Sequence, residues 1–345
     1  MNIKSLLLGS AAALAVVSGA QAADAVVAAE PEPVEYVRVC DAYGTGYFYI
    51  PGTETCLKIE GYIRTEVRFG RDQVGVSDYD FWSRANVQFT AKSDTEYGPL
   101  TGVIVLQTDA NDGSSGDQNS YLDSAYIDVA GFRAGLFYSW WDDGLSGETD
   151  NLASNSTLHN SFRYQYESGD FYAGVSVDEL EDAIHDALGE DGNDVGIAAG
   201  IGGKAGAFSY QLIGGYDTDT EEGAIRAMGT VAIGPGTLGL AAAWASGPNA
   251  YFEESEWTIA AEYAIQATDK LKITPAVQYF DNIKNGGSAA TVTDFSGDDM
   301  WKAGVTVDYQ IVENFYAKAS VQWQDRTFTV DDDSVSGYFR LQRSF

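Results

Sequence analysis

The sequence predicts an all-β fold, a transmembrane antiparallel β-barrel of about sixteen strands with one loop folded inward to form a constriction. Three observations support this prediction. Apolar and polar residues alternate with a period of two along most of the chain, and the connections between the alternating runs are long and short in turn. In addition, no stretch reaches the roughly 18 to 20 apolar residues that a membrane-spanning helix needs.

The alternation begins at Leu57. In the first run Leu57, Ile59 and Ile63 fall on one face, while Glu60 and Arg64 fall on the other. A period of two is typical of a strand with one apolar and one polar face. The candidate strands found in this way span 57–70, 79–93, 98–110, 120–130, 132–140, 160–167, 170–178, 194–203, 206–216, 223–233, 236–246, 255–266, 270–280, 299–310, 314–326 and 334–345.

The connections between these strands differ in length according to their order. The long and medium ones are 71–78, 111–119, 141–159, 179–193, 217–222, 247–254, 281–298 and 327–333. The short ones are 94–97, Gly131, 168–169, 204–205, 234–235, 267–269 and 311–313. Transmembrane barrels show this alternation, with short periplasmic turns on one rim and longer external loops on the other. A soluble sandwich has no reason to segregate its loops by length.

The N-terminus predicts export. Lys4 precedes an apolar run from Leu6 to Val17, and Ala20-Gln21-Ala22 matches a small-x-small cleavage site, as in a secretory signal peptide. We therefore expect a signal peptide at 1–22, an N-terminal periplasmic segment at 23–56 and the barrel at 57–345 in the outer membrane.

The two cysteines, Cys40 and Cys56, both lie in the predicted periplasmic segment. In an exported protein they are expected to form a disulfide, with a pair of free thiols as the alternative. The spacing fits no zinc pattern, and the sequence predicts neither a metal nor a cofactor.

The formal net charge is -31, which argues against nucleic acid or an anionic membrane surface as a partner. Disorder could also explain such a charge, but 13% of the residues are aromatic and the alternation is regular. The composition therefore suits a sheet with one wide apolar face and one wet face.

A barrel of about sixteen strands is too wide for side chains to fill and leaves an aqueous channel. The polar parity places a set of basic residues on the channel wall, and closure of the last strand onto the first makes many of them neighbours. These residues are Arg64, Arg68, Arg84, Arg133, Arg163, Lys302, Lys318 and Arg340.

The connection between the fifth and sixth predicted strands is acidic and lacks the period of two. Trp140, Trp141 and Leu145 give it apolar groups to pack, which favours an ordered loop. We expect it to fold inward and to oppose the basic wall across a narrow waist, whereas the alternative is an external acidic loop. Its carboxylates, uninterrupted by any base, are Asp142, Asp143, Glu148 and Asp150.

Two segments resemble a known family. Residues Glu32 to Arg64, EPVEYVRVCDAYGTGYFYIPGTETCLKIEGYIR, are similar to the opening of mature alphaproteobacterial general porins, the major outer-membrane porin group of Brucella and its rhizobial relatives. The terminal Ser344-Phe345 resembles the aromatic-ended last strand of such barrels.

The resemblance implies sixteen strands, a homotrimer, passive diffusion of small hydrophilic solutes and ions, and an inward third loop. In that family the third-loop acids and the wall arginines form the eyelet of the pore. The positions that match are Asp142, Asp143, Glu148 and Asp150, with Arg64, Arg68, Arg84, Arg133 and Arg163.

Other functions are less well supported by the sequence. An enzyme needs a nucleophile, a base and an orienting group in register, whereas His159 and His185 fall in predicted loops without a nucleophile beside them. A substrate-specific channel is the main alternative, but the candidate lumenal aromatics are too scattered to form a continuous track; they are Tyr62, Trp82, Tyr172 and Tyr338.

Two loop segments carry weaker signals. Apolar residues recur every four positions from Asp178 to Leu188 before Gly189, which predicts a short helix. The stretch DANDGSSGDQNS from Asp109 resembles a calcium loop only loosely, because it lacks the spacing and the closing Glu of an EF-hand.

Overall fold

The structure, a computed structural model, describes residues 37–70, 79–110, 118–154, 157–180, 194–285, 294–326 and 334–345. Most of the described residues belong to a second unit, Val39–Phe345, which is compact. The predicted signal peptide at 1–22 lies outside the described residues, as does most of the segment before Cys40.

The second unit is one antiparallel sheet. Its main strands are β1 (Cys56–Phe69), β2 (Tyr79–Thr95), β3 (Gly98–Ala110), β4 (Gln118–Val129), β5 (Phe132–Tyr138), β6 (Leu158–Ser168), β7 (Phe171–Glu179), β8 (Val195–Ala205), β9 (Phe208–Asp217), β10 (Gly223–Ile233), β11 (Gly236–Ala245), β12 (Ser255–Thr268), β13 (Leu271–Ile283), β14 (Met300–Val312), β15 (Phe315–Arg326) and β16 (Ser334–Ser344).

Each strand pairs with its neighbours in sequence, and β16 pairs with β1, so the sheet closes into a barrel of sixteen strands. Closure leaves no unpaired sheet edge, which is what a sheet inside hydrocarbon requires. The predicted strand number is confirmed. The predicted bounds are close to those observed, and the largest difference is at β13, which ends at Ile283 rather than at 280.

The two rims differ as predicted. The turn between β4 and β5 is Ala130-Gly131, with φ of 52° and 84°, so both central residues have the positive φ of a type I′ hairpin. The C-terminus lies near this short-turn rim, where the Phe345 amide donates to the carbonyl oxygen of Gly61 at 3.0 Å.

The outer face of the barrel is apolar. Side chains such as Ile63 and Val175 are 55% and 56% exposed there. Towards the long-loop rim the rings of Trp257, Tyr279 and Trp301 contact one another on three neighbouring strands, with centroids 5.3 and 4.9 Å apart. An apolar band bordered by aromatic rings is typical of a barrel embedded in a bilayer. No helix in the described ranges is long and apolar enough to cross a membrane.

The segment before β1 is held by a disulfide between Cys40 and Cys56, as predicted. A two-residue strand, Phe48–Tyr49, pairs with the start of β1. The Lys92 ammonium of β2 lies 5.8 Å from the ring centroid of Tyr47, which is 8% exposed. The segment is thereby attached to the barrel at β1 and β2.

The two weaker loop predictions fall largely outside the described residues. β7 extends to Glu179, so the helix predicted from Asp178 is wrong at its first two residues, because they continue the pairing with β8. The remainder, 181–188, is not described, and neither is 111–117 of the calcium-like stretch.

The inner wall is asymmetric. On β7 to β12 many lumen-facing positions hold glycine or alanine, and large or charged side chains dominate on β14 to β16, β1 and β2. The small positions are Gly174, Gly196, Ala198, Gly200, Gly202, Gly215, Ala224, Gly239, Ala241, Ala243 and Ala260. Small side chains leave room against this half of the wall for a second layer of chain.

Part of that layer is the connection between β11 and β12, residues 246–254, which we call the second inward loop. Tyr251, 1% exposed, covers Gly196 and Gly215, and its hydroxyl donates to Asp178 Oδ2 at 2.8 Å. A Cβ at either glycine would collide with the Tyr251 ring. The glycines of the wall therefore provide the space that the second inward loop occupies.

Two carboxylates lie beside the second inward loop at the long-loop rim. Asp217 is fully buried and accepts hydrogen bonds from the backbone amides of Asp219, Thr220 and Ala250. Asp194 is 5% exposed, and its Oδ2 has no hydrogen-bond partner within the described residues. Burial, together with the nearby Asp217 carboxylate, raises the pKa of Asp194 to about 6.

This raised pKa predicts a pH dependence. The packed state favours protonated Asp194, so its contribution to stability is complete below about pH 4 and is lost as the pH rises through about 6. We expect Asp194→Asn to slow amide hydrogen exchange at 217–222 relative to the original protein at pH 7.5. At pH 4 the two proteins should exchange alike after correction for intrinsic rates.

A matched control is Glu221→Gln, which neutralises an exposed acid on the same loop and should leave the exchange pattern unchanged. Equal exchange of the original protein and the Asp194→Asn variant at pH 7.5 would contradict the expected destabilisation by a buried carboxylate.

Candidate functional site

The connection between β5 and β6 lies inside the barrel, as predicted, and we call residues 139–157 the inward loop. It opens with a short 3₁₀ turn, Trp140–Asp142, which the Ser139 hydroxyl caps by accepting a hydrogen bond from the Trp141 amide at 3.2 Å. Its two ends are joined, because the Ser139 amide donates to the carbonyl oxygen of Thr157 at 2.7 Å. The structure describes 139–154 and 157 of this loop.

The outgoing arm follows the inner wall strand by strand. Trp140 lies over Gly174 and Gly200, where added Cβ atoms would come within 2.8 and 3.1 Å of its ring. Further along, Glu262 of β12 accepts hydrogen bonds from the amides of Ser146 and Gly147 at 2.9 and 2.8 Å. The tip then reaches β14 and β15, where the Glu148 amide donates to Thr306 Oγ1 at 3.1 Å and the Glu148 carboxylate meets Lys318 at 2.6 Å.

The returning arm is held by the same half of the wall. Gln278 of β13 accepts from the Asn151 amide at 2.7 Å and donates to the Asn151 carbonyl at 2.8 Å. Leu152 packs with Ala241 and Ala260, which are almost fully buried. The inward loop is thus a hairpin that lines the wall from β6 to β15 and leaves β16 and β1 to β5 facing the remaining lumen.

Arg226 of β10 joins the two arms. Its guanidinium donates to the carbonyl oxygens of Trp140 at 2.7 Å, Trp141 at 2.9 Å and Leu152 at 3.2 Å, and to Gln211 Oε1 at 2.9 Å. Arg226 is 1% exposed. Since hydrogen bonds from a charged donor are stronger than neutral ones, this residue is the main polar anchor of the inward loop.

The four predicted loop acids have different surroundings. Asp142 accepts from Thr157 Oγ1 at 2.7 Å, and Asp143 accepts from Gln211 Nε2 at 2.6 Å, while both remain exposed. Asp150 instead accepts from the Leu145 amide at 3.1 Å and so closes the hairpin itself. The exposed carboxylates of Asp142 and Asp143, together with the Glu148 carboxylate that pairs with Lys318, form what we call the acidic edge of the loop.

Seven of the eight predicted basic residues fall into two groups. Strand closure brings one group together: Lys318 pairs in register with Arg340, Arg340 with Glu66, and Arg64 with Arg84. We call this the basic wall; its members are Arg64, Arg68, Arg84, Lys318 and Arg340. The second group consists of Arg133 and Arg163, which pair in register on β5 and β6.

Lys302 belongs to neither group. It lies on β14 in register with Gln278, and its charge acts on the nearby Asp150. It is therefore close to the returning arm of the inward loop and away from the basic wall.

Acids that the sequence analysis did not single out accompany the basic wall. Glu66, 1% exposed, bonds Arg68 and Arg340. Asp109 holds Arg84 through two hydrogen bonds of 2.7 and 2.8 Å. Lys318 also lies 3.4 Å from Asp308. Arg64 differs, since it donates to Gln342 Oε1 at 2.9 Å and has no carboxylate within ion-pair distance in the described part of the chain.

Three cavities lie in the lumen around the inward loop. One of about 720 Å³ is lined from β4 to β9, one of about 440 Å³ from β1 to β5, and one of about 380 Å³ by β1 and β12 to β16. Charged and amide side chains contribute to all three, which suits water and polar solutes. No group of three His, Cys, Asp or Glu side chains among the described residues is placed to hold a metal ion.

The residues that sequence reasoning missed are mainly the anchors of the loop, Arg226, Glu262 and Gln278, together with Tyr251. Their parity on the strands does put Arg226, Glu262 and Gln278 on the lumen side. Nothing in that parity distinguishes a residue beneath the loop from one that faces water, so only an isolated Arg among small residues on β10 offered a signal.

We expect Arg226→Ala to loosen the inward loop without preventing barrel formation, because three loop carbonyls lose a charged donor. Each such loss costs on the order of 1–3 kcal/mol. Single-channel recordings should show frequent current fluctuations, while the folded protein keeps its heat-modifiable mobility in electrophoresis. Arg226→Lys preserves the charge but not the forked geometry and should be intermediate. A quiet channel in Arg226→Ala would mean that other contacts suffice.

Comparison with known proteins agrees with this architecture. A family profile described as "Porin subfamily" matches residues 24–340. The chain is 63% identical to "Outer membrane protein IIIA" of Rhizobium leguminosarum bv. viciae, over 98% of this chain and 93% of that protein. It is 34% identical to "Porin Omp2a" of Brucella melitensis biotype 1, over the full length of both.

Among solved structures, the trimer form of OmpT, an outer membrane protein of Vibrio cholerae, has a TM-score of 0.62 with 14% identity, covering 85% of this chain and 100% of that one. At that identity the likeness supports the fold alone. The sequence matches, the closed barrel and the polar lumen with its lining loop together show that this chain belongs to the porin family of outer-membrane proteins.

Proposed function

We propose that this porin is a general diffusion channel of the outer membrane, through which small hydrophilic solutes and ions pass without a reaction. The observation that carries the proposal is the course of the inward loop, which lies along one half of the wall instead of crossing the barrel as a plug. Family membership also favours a channel over an enzyme.

The filter we propose lies between the acidic edge of the loop and the arginines of the basic wall, while Lys318 joins the two where it pairs with Glu148. Opposed charges across a narrow space produce a transverse field that orients water and polar solutes, whereas apolar solutes gain nothing there. The pairing of Arg84 with Asp109 and of Arg340 with Glu66 moderates the field of the basic wall. This partial neutralisation supports a filter that admits both cations and anions.

The remaining proposals concern assembly and export. We infer that this chain forms a homotrimer in the bilayer, since the structurally similar OmpT is described in a trimer form. We also infer that residues 1–22 direct export and are cleaved, which leaves 23–56 as the periplasmic segment ahead of the barrel.

The experiment that tests the channel is single-channel recording of the refolded mature protein in a planar bilayer under a KCl gradient. We expect discrete steps whose current is proportional to voltage, in groups of three if a trimer inserts. The reversal potential then reports the charge preference of the pore. A folded barrel that gives no steps would overturn the proposed diffusion function.

The acidic edge gives a second prediction. The combined variant Asp142→Asn, Asp143→Asn and Glu148→Gln should lower cation permeability relative to anion permeability, because the basic wall then acts without opposing charge. The matched control is Asp150→Asn, because the Asp150 carboxylate accepts a hydrogen bond from the Leu145 amide within the loop and contributes less charge to the lumen. Unchanged selectivity in the triple variant, measured by the reversal potential, would show that these acids do not reach the waist.

A further inference from the structure

The cavity of about 720 Å³ lies between the inward loop and the short-turn rim, because its lining extends from Trp140 and Asp143 of the loop to Gly131 of the β4–β5 turn. Its volume falls within the roughly 300–1,000 Å³ of small-molecule sites. The lumen-facing groups that line it include Arg133 and Arg163.

These two arginines are an unusual pair. Arg133 and Arg163 occupy directly opposite positions on β5 and β6. Like charges directly opposite each other destabilise a sheet unless something compensates. For Arg133 the compensation is Asp128, which accepts from its guanidinium at 2.7 and 3.1 Å.

Arg163 has no such partner. It is 8% exposed, yet within the described ranges no carboxylate is at ion-pair distance. One nitrogen donates to the carbonyl oxygen of Tyr138 at 3.3 Å, and its buried Nε has no hydrogen-bond partner there. A buried guanidinium without a directly paired carboxylate is costly, so Arg163 itself lacks one negative partner, although Asp128, Asp143 and Glu167 also line the cavity.

The surroundings of Arg163 leave one direction for a ligand. Its guanidinium carbon lies 4.0 Å from the ring centroid of Trp140 and 4.7 Å from that of Phe137, so both rings cover it, and Arg163 is itself one of the residues that line the cavity. Hydroxyl-recognising groups complete the lining: Gln165, which already bonds Trp140 and Glu167, and Gln211, which bonds Asp143 and the Tyr172 hydroxyl.

We propose that this cavity is a binding subsite for a hydroxylated organic monoanion of monosaccharide size, that is, a sugar acid. Its carboxylate lies between Arg163 and Arg133, and its hydroxyls reach Gln165, Gln211 and Asp143. A single negative charge is expected because Asp128 already neutralises Arg133. The inference rests on the proposed diffusion function, and it assigns the channel a preferred solute class at this position.

The test is the block of single-channel KCl current by glucuronate, with glucose and inorganic phosphate as comparison solutes. Glucuronate should reduce the current in a saturable manner, more strongly from the short-turn side, while glucose and phosphate at equal concentration should not. Arg163→Gln should raise the half-blocking concentration at least about tenfold, the effect expected from losing a charge-assisted hydrogen bond.

Arg163 also contacts Trp140 of the inward loop, so Arg133→Gln provides a second variant whose side chain bonds Asp128 rather than the loop. It should weaken the glucuronate block as well. Lys204→Gln, an equal charge change at the short-turn rim outside the cavity, should leave the block as in the original protein.

The recordings distinguish failure of the subsite from failure of the channel. Equal block by glucose and glucuronate, equal block by phosphate, or a block insensitive to both arginine variants would overturn the sugar-acid subsite while leaving the open channel in place. An absence of channel steps would instead overturn the diffusion function itself.

Discussion

The contact between the Arg226 guanidinium and the carbonyl oxygens of Trp140, Trp141 and Leu152 determines where the pore can lie. A sixteen-stranded barrel is too wide for its own side chains to fill, so the position of the lining loop decides how much lumen remains. Because the donor is charged, fully buried and bonded to both arms, the loop is held against one half of the wall. The opposite half, which carries the arginines of the basic wall, is thereby left to the solute.

The inner wall is suited to this arrangement by the size of its side chains. Gly174 and Gly200 leave the space that the Trp140 ring occupies, and Gly196 and Gly215 do the same for Tyr251. The Ser154 amide of the inward loop donates to the carbonyl oxygen of Tyr251 at 3.0 Å, so the two inward loops brace each other. Close packing of the two inward loops as a second layer against the wall gives these loops a defined position although they lack regular secondary structure.

The charged side chains of the lumen also differ between the two halves of the wall. On the half of the wall that the loop leaves open, most basic side chains pair with acidic side chains such as Glu66 and Asp109. This pairing reduces the repulsion between adjacent guanidinium groups. Arg64 and Arg163 depart from this rule within the described residues. The first lies at the open wall and contributes to the field there, while the second lies in the cavity beneath the loop. Their different burial, not their residue type, separates the filtering role proposed for Arg64 from the binding role proposed for Arg163.

The period of two in the sequence determined the sixteen strands, the side on which each residue lies, and the closure that brings Arg340 beside β1. These properties follow from the local geometry of a strand, in which residues two apart share a face. The tertiary structure alone decided that Asp150 turns back to its own loop, that Glu66 serves both Arg68 and Arg340, and that Arg226 is buried beneath the loop. Such roles depend on contacts between residues far apart in the chain, 85 positions in the case of Arg226 and Trp141, and a local pattern contains no information about those distances.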